Sequence, residues 1–187
     1  MSITQHFSCF RRLTGASLIA VTLVVVSSDV ARGQQQTTEF ESGTIDIGVV
    51  VSDLSASLAF YQDVLGMKKV GAFDLDADAG RRTGLSGGTP FSVVVLKLDD
   101  GESATSWKLM TFNGVGKGAQ GGHIQDGVGM RYVTVFVRDM SPFLDRLEKH
   151  GVAFLGETPI RLDDGRQFVL IQDPDGLFIE LIAPAPE

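Results

Sequence analysis

The stretch that decides the fold is IDIGVVVSDLSASLAFYQDVLGM at residues 45–67, together with a weaker repeat, YVTVFVRDMSPFLDRLEKHGVAF, at residues 132–154. Each copy predicts a strand, a turn that carries an aspartate, and an amphipathic helix that ends at a glycine. A shift of about 86 positions places Asp53 on Asp139. The chain is therefore predicted to consist of two similar halves, each built on a strand followed by a helix.

Local physical chemistry supports both copies of this unit. In the first strand Ile47 and Val49 belong to an alternating face of branched aliphatic side chains, and such a face requires a helix packed against it. Asp53 or Ser55 can accept hydrogen bonds from the free amides of the first helical turn. Gly66 lies where a left-handed residue commonly ends a helix. We therefore expect each helix to cover one face of its own sheet and to leave the other face free.

Residues 1–33 have the pattern of a secretory signal peptide. Two arginines precede an apolar run at residues 13–26, which is too short to span a membrane comfortably, and residues 31–33, Ala-Arg-Gly, suit a signal peptidase. Cleavage before Gln34 would leave 154 of the 187 residues, and residues 34–43 are expected to be a flexible segment. We expect an exported protein, periplasmic or secreted, with an uncleaved membrane anchor as the alternative.

Charge and cysteine content exclude several classes of function. The net charge is −7, and removal of the leader, with three arginines and one aspartate, would leave 13 basic and 22 acidic residues and a net charge of −9. An acidic chain without a basic patch is a poor partner for nucleic acid or for an anionic membrane surface. Cys9 would be lost with the leader, so no disulfide, thiol nucleophile or cysteine metal site is expected.

The remaining segments complete the two halves. Residues 68–73 predict a short strand, residues 74–90 a long mobile loop, and residues 113–130 a flexible glycine-rich linker. Turn residues then predict one hairpin in each half. The hairpin strands are residues 91–98 with 106–112 and residues 166–171 with 177–183, and a further short strand is expected near residues 152–155. The fold class is α+β, with two βαβββ modules.

Four segments together resemble a known family: VSDLSASLAFYQDVLGMK, the glycine-rich join, VRDMSPFLDRLEKHGV and DPDGLFIEL. They resemble the vicinal oxygen chelate superfamily, which includes glyoxalases, bleomycin-resistance proteins and extradiol dioxygenases. The resemblance implies a domain at residues 44–184, with module one at residues 44–112 and module two at residues 131–184. In that family the free sheet faces of two modules form a cup, where four residues hold a divalent metal that polarises a substrate with two adjacent oxygens.

The resemblance places those four positions on Asp46, Lys108, Tyr132 and Glu180. The first is usually His or Gln, the second Glu and the third His, and only Glu180 keeps the usual residue. A protonated lysine is not a metal ligand, so we expect no metal, with Glu180 and Asp46 as ligands if a divalent metal does bind. Our hypothesis is that Lys108 replaces the metal, held by Asp46 and Glu180, with Tyr132 as a donor.

These departures leave several functions open. The preferred function is binding of a small molecule in the cup, as in bleomycin-resistance proteins, with a degenerate metal site. The alternatives are a metal-dependent lyase or dioxygenase with a non-standard ligand set, for which Glu180 and Tyr132 are the best catalytic candidates, and a non-catalytic partner-binding domain. His123, in the linker, is a further candidate at the rim of the cup, as a base or a substitute ligand, with a solvated loop histidine as the alternative. The modules can pair within one chain or be exchanged in a homodimer, because the linker permits both.

Overall fold

The computed structural model describes residues 39–118 and 121–185. The predicted signal peptide at residues 1–33 lies outside the described residues, as does the first half of the segment at residues 34–43. Phe40–Glu187 form one compact unit. Within the described part of the chain, no helix is long and apolar enough to cross a membrane.

The secondary structure follows the predicted two-module order. In module one the elements are β1 (Ile47–Val50), α1 (Leu54–Leu58) with a π-helical continuation (Ala59–Val64), β2 (Lys68–Leu75), α2 (Ala77–Thr83), β3 (Phe91–Lys97) and β4 (Ser106–Phe112). In module two they are β5 (Tyr132–Phe136), α3 (Ser141–Lys149), β6 (Ile160–Arg161), β7 (Gln167–Gln172) and β8 (Phe178–Ala183). A 3-10 turn, Ile124–Asp126, interrupts the linker.

Each module forms one four-stranded mixed sheet. The strand orders are β1-β4-β3-β2 and β5-β8-β7-β6, so that the first strand of each module lies at an edge of its sheet. β1 runs parallel to β4 and β5 runs parallel to β8, while the other neighbouring strands are antiparallel. The predicted α+β fold of two βαβββ modules is therefore confirmed.

The first helix begins and ends at the residues that the sequence indicates. Asp53 Oδ1 accepts a hydrogen bond from Ala56 N at 3.0 Å. A wider turn then follows, because Leu65 N donates to Phe60 O, five residues earlier, at 3.1 Å. Gly66 has a φ of 79°, a left-handed conformation that glycine adopts without the steric cost that a side chain would bring.

Two local predictions are wrong. The sequence predicts a mobile loop at residues 74–90, but they contain α2, in which Asp76 Oδ1 accepts a hydrogen bond from Ala79 N at 2.8 Å and Gly84 ends the helix at a φ of 72°. The sequence also predicts a strand near residues 152–155, but these residues form none. Their one described backbone hydrogen bond to β7 runs from Leu155 N to Leu170 O. β7 pairs with β8 on one side, and its partner on the other side is the two-residue strand β6.

The two modules pack together through their helical sides. Tyr61 is completely buried, and its hydroxyl donates to Asp173 Oδ2 at 2.6 Å. Arg146 Nε, from α3, donates to Val64 O at 2.7 Å. Ser52 donates to the carboxylate of Asp175 through both its backbone N–H and its hydroxyl. One apolar core spans both modules, so the opposite sheet faces remain free for a binding site.

Candidate functional site

The strand register places the four candidate residues at equivalent points of the two modules. Lys108 pairs across the parallel ladder with Gly48, two residues after Asp46. Glu180 pairs in the same way with Thr134, two residues after Tyr132. Because side chains alternate along a strand, Lys108 lies on the face opposite the helix, while its neighbours Trp107 and Leu109 are buried in the core.

Asp46 and Lys108 form an ion pair at the edge of module one. Lys108 Nζ lies 2.8 Å from Asp46 Oδ2, and the two side chains are 37% and 43% exposed. Ser106 N donates to the other carboxylate oxygen, Oδ1, at 3.1 Å. The hydrogen bond from Lys108, followed by that from Ser106, lowers the pKa of Asp46 to about 2. Asp46 is therefore a carboxylate at neutral pH, and its charge is matched by that of Lys108.

Glu180 and Tyr132 line a cavity on the free face of module two. The cavity has a volume of about 500 Å³. Glu180 Oε2 accepts a hydrogen bond from Thr134 Oγ1 at 2.6 Å, which leaves Oε1 with no described donor. The lining residues are Gly122, His123, Ile124, Gln125, Tyr132, Leu155, Gly156, Glu157, Thr158, Ile160, Leu170, Phe178 and Glu180.

The linker supplies one wall of this cavity. Gln172 Nε2, at the end of β7, donates to Gly121 O at 3.2 Å and so ties the linker to the sheet. His123 N donates to Asp126 Oδ2 at 2.9 Å, which closes the 3-10 turn. His123 is one of the residues that line the cavity, and its role as a base stays a prediction. The linker was predicted to be flexible, but this part of it is held in place by these hydrogen bonds. The sequence does not indicate the wall, because the bond from Gln172 to Gly121 joins residues 51 positions apart.

Glu157 is a second cavity carboxylate, and sequence reasoning missed it. It lies in an irregular stretch between α3 and β6, where no strand period or motif marks the direction of a side chain. It comes to the same cavity as Glu180 because Leu155 N, two residues earlier, donates a hydrogen bond to Leu170 O of β7. No signal in the sequence would have found it.

The structure brings the four predicted residues together as two pairs and not as one cluster. Among the described residues, no hydrogen bond or ion pair joins Asp46 or Lys108 to Tyr132 or Glu180. A cavity of about 580 Å³ beside Asp46 is lined by module one and the preceding segment, and it shares no lining residue with the cavity of module two. Within one chain Lys108 thus has Asp46 as its partner, while the contact with Glu180 in our hypothesis is not formed.

The residues at the four positions do not fit a divalent metal. Lys108 places an ammonium group where the family resemblance implies a carboxylate ligand. Its ion pair with Asp46 also engages an oxygen that could otherwise contact a metal. Among the described residues, no group of three or more His, Cys, Asp or Glu side chains could hold a metal ion.

Comparison with known proteins agrees with this architecture. Residues 44–181 match the profile of the Glyoxalase/Bleomycin resistance protein/Dioxygenase superfamily. A lactoylglutathione lyase of Haemophilus influenzae is 35% identical over 137 residues, which cover 71% of this chain and 85% of the relative.

Solved structures share the same fold. A glyoxalase family protein from Bacillus cereus is 22% identical, with a TM-score of 0.63 over 79% of this chain and 98% of its own. The trypanothione-dependent glyoxalase I of Leishmania major is 23% identical, with a TM-score of 0.54 over 76% of this chain and 86% of its own. The family match spans both modules, and the chain therefore belongs to the glyoxalase/bleomycin resistance protein/dioxygenase superfamily.

Proposed function

We propose that this protein binds a small organic molecule on the free sheet faces of its modules, without a metal. The observation that carries the proposal is the Asp46–Lys108 ion pair, which sets a fixed positive charge at a position equivalent to that of Glu180. The cavity beside Glu180 is of a size that suits small ligands, and it combines apolar walls with a few polar groups. Tyr132 and Glu180 are the residues that we assign to ligand contact in module two.

We further propose that a second copy of the chain completes the cup. β1 and β5 are edge strands, and their free faces expose Val50 by 45% and Phe136 by 70%. Pairing of β1 in one chain with β5 in another would join the two sheets at their edges and bring these side chains into contact. Light scattering should give the mass of a dimer, and Phe136→Asp should shift it towards the monomer. A monomeric wild-type protein at micromolar concentration would contradict this assembly.

Metal content tests the central proposal. We expect the purified protein, after incubation with nickel, zinc, manganese and iron(II) and then desalting, to retain no stoichiometric metal in elemental analysis. Lys108→Glu restores a carboxylate at the second family position, so this variant should gain metal affinity. Lys69→Glu makes the same charge change at an exposed residue of β2 and should gain none. One tightly held equivalent in the wild type that is lost in Glu180→Ala would refute the proposal.

A lyase is the second candidate function. It is favoured by the 35% identity to a lactoylglutathione lyase, a relative of which the match covers 85%. Glu180 would then be the first candidate for proton transfer, with Tyr132 beside it. The test is to follow the formation and breakdown of lactoylglutathione with and without added metals. A turnover that disappears in Glu180→Gln would favour the lyase over the binding protein.

We also propose that the chain is exported and that residues 1–33 are removed. Support comes from the apolar run at residues 13–26 and from the small residues before Gln34. The mass and the N-terminal sequence of the protein, expressed with its leader and recovered from the periplasm or the medium, test this proposal. A cell-retained product with an intact Met1 would refute it.

A further inference from the structure

The cavity of module two carries negative charge that the protein does not neutralise. Glu157 and Glu180 both line it, and the lining includes no lysine or arginine. Thr134 donates a hydrogen bond to Glu180 but contributes no charge. Lys108, at the equivalent position of module one, is paired with Asp46, and among the described residues no ion pair joins it to Glu180 or Glu157.

The arginines next to the lining residues in sequence are directed elsewhere. Arg131 Nε donates to Ile124 O at 3.1 Å, and its guanidinium lies against Gly127, where a Cβ atom added to the glycine would come within 2.8 Å of Nη1. Arg161 follows Ile160 in β6, and consecutive strand residues point to opposite faces. His123 is the one basic residue that lines the cavity, and Asp126 Oδ2 lies 3.9 Å from its Nδ1. Each of these groups is thus engaged by, or turned towards, something other than Glu180.

Part of the cavity wall is apolar. It is formed by Leu155, Ile160, Leu170 and Phe178, and Phe178 is only 2% exposed. A hydrocarbon or aromatic group placed on these side chains would be removed from water, which is favourable in proportion to the apolar area buried. An anionic group in the same place would be repelled by Glu157 and Glu180, which both line the cavity, whereas a protonated amine would gain a charge-assisted hydrogen bond.

We propose that the ligand of this cavity is a small organic cation, with an apolar body that rests on Phe178 and Leu170 and a protonated amine that contacts Glu180 and Glu157. This inference rests on the proposed small-molecule-binding function and adds the chemical class of the ligand. Tyr132, at the edge of the same cavity, can accept a further hydrogen bond from the amine through its hydroxyl oxygen.

Three probes of equal shape test the inference: 4-phenylbutylamine, 4-phenylbutan-1-ol and 4-phenylbutanoate. Their affinities for the full chain are measured at pH 7 and low salt by titration calorimetry and by NMR shifts of residues around the cavity. The amine should bind about tenfold more tightly than the alcohol, as one charge-assisted hydrogen bond predicts, and the carboxylate more weakly than either. Added salt should weaken binding of the amine and leave the alcohol unchanged.

Carboxylate-to-amide variants locate the effect. Glu180→Gln, alone and together with Glu157→Gln, should reduce the affinity for the amine to that for the alcohol. Glu148→Gln removes an exposed carboxylate from α3 and should leave all three affinities unchanged. These substitutions keep the shape of the side chain, and a thermal melt of each variant confirms that it is folded.

The outcomes separate this inference from the proposed function. Equal binding of the amine and the alcohol would overturn the preference for a cation and leave small-molecule binding intact. Tighter binding of the carboxylate, or an amine affinity that survives both glutamine substitutions, would overturn the inference in the same way. Failure of all three probes to bind would overturn both proposals for this cavity.

Discussion

The hydrogen bond between Tyr61 and Asp173 joins the two modules, and its removal is the most informative test of how they hold together. The phenol hydroxyl donates to Asp173 Oδ2 at 2.6 Å across 112 residues of sequence. Both side chains are buried, Tyr61 completely and Asp173 with 5% exposure. Burial raises the pKa of Tyr61 above its usual range, so the phenol keeps its proton at neutral pH.

The expected loss in Tyr61→Phe follows from what remains around the carboxylate. Asp173 Oδ1 keeps two backbone donors, Asp175 N at 2.9 Å and Leu177 N at 2.8 Å, but Oδ2 loses its one described donor. A hydrogen bond to a buried charged group contributes about 1.5–3 kcal/mol. We therefore expect the free energy of unfolding to fall by about 2 kcal/mol, and the melting temperature by roughly 4–8 °C for a domain of this size.

The loss should depend on pH in a defined direction. Burial raises the pKa of Asp173 above its usual value of 3.8, while the hydrogen bond from Tyr61 opposes that rise. Because the folded pKa is raised, the free energy of unfolding falls as the pH rises from the unfolded pKa through the folded pKa. Without the phenol the folded pKa rises further and this fall becomes larger. The effect of Tyr61→Phe should therefore be greater at pH 7 than at pH 4.

Urea denaturation of the wild type and of Tyr61→Phe at several pH values measures this effect. Tyr132→Phe is the matched control, because that hydroxyl is on a residue that is 47% exposed and has no described hydrogen bond, so it should change stability by less than about 0.5 kcal/mol. A double-mutant cycle with Asp173→Asn isolates the pair from other effects of each substitution. A loss in Tyr61→Phe no larger than in the control, or one that is equal at pH 4 and pH 7, would refute the reasoning.

Two further predictions concern the edge of module one and the end of α3. Lys108→Met should raise the pKa of Asp46 from about 2 towards 3.8, as measured by NMR titration. The ion pair makes a small contribution to stability that is present above pH 3.8 and is lost as the pH falls to about 2, and this contribution should disappear in the variant. An Asp46 carboxyl that still titrates near 2 in the variant would contradict the pairing. Gly151→Ala should lower the free energy of unfolding by about 1 kcal/mol, because Gly151 has a φ of 64° and open space around its Cα, so the cost is one of backbone conformation alone. Gly43→Ala, also in open space but without a positive φ, should leave the denaturation curve unchanged.

Much of the fold was predictable because the signals are local. The strand period around Val49, the cap at Asp53 and the left-handed Gly66 each depend on a few neighbouring residues, and the structure has them as predicted. The same kind of signal is present in α2, where Asp76 and Gly84 mark both ends, but the surrounding glycines and charges favour a loop interpretation. The loop prediction is wrong because it rests on composition, whereas Asp76 and Gly84 are local signals from which α2 was predictable.

The sequence by itself therefore determined the family and the two modules, because motifs, strand period and helix caps are properties of short segments. Only the tertiary structure decided that Lys108 pairs with Asp46, that Glu180 shares its cavity with Glu157, and that Tyr61 reaches Asp173. Those contacts join residues far apart in the chain, whose distance is determined by how sheets and helices pack. Periodicity and capping act over a few residues and carry no information about such distances.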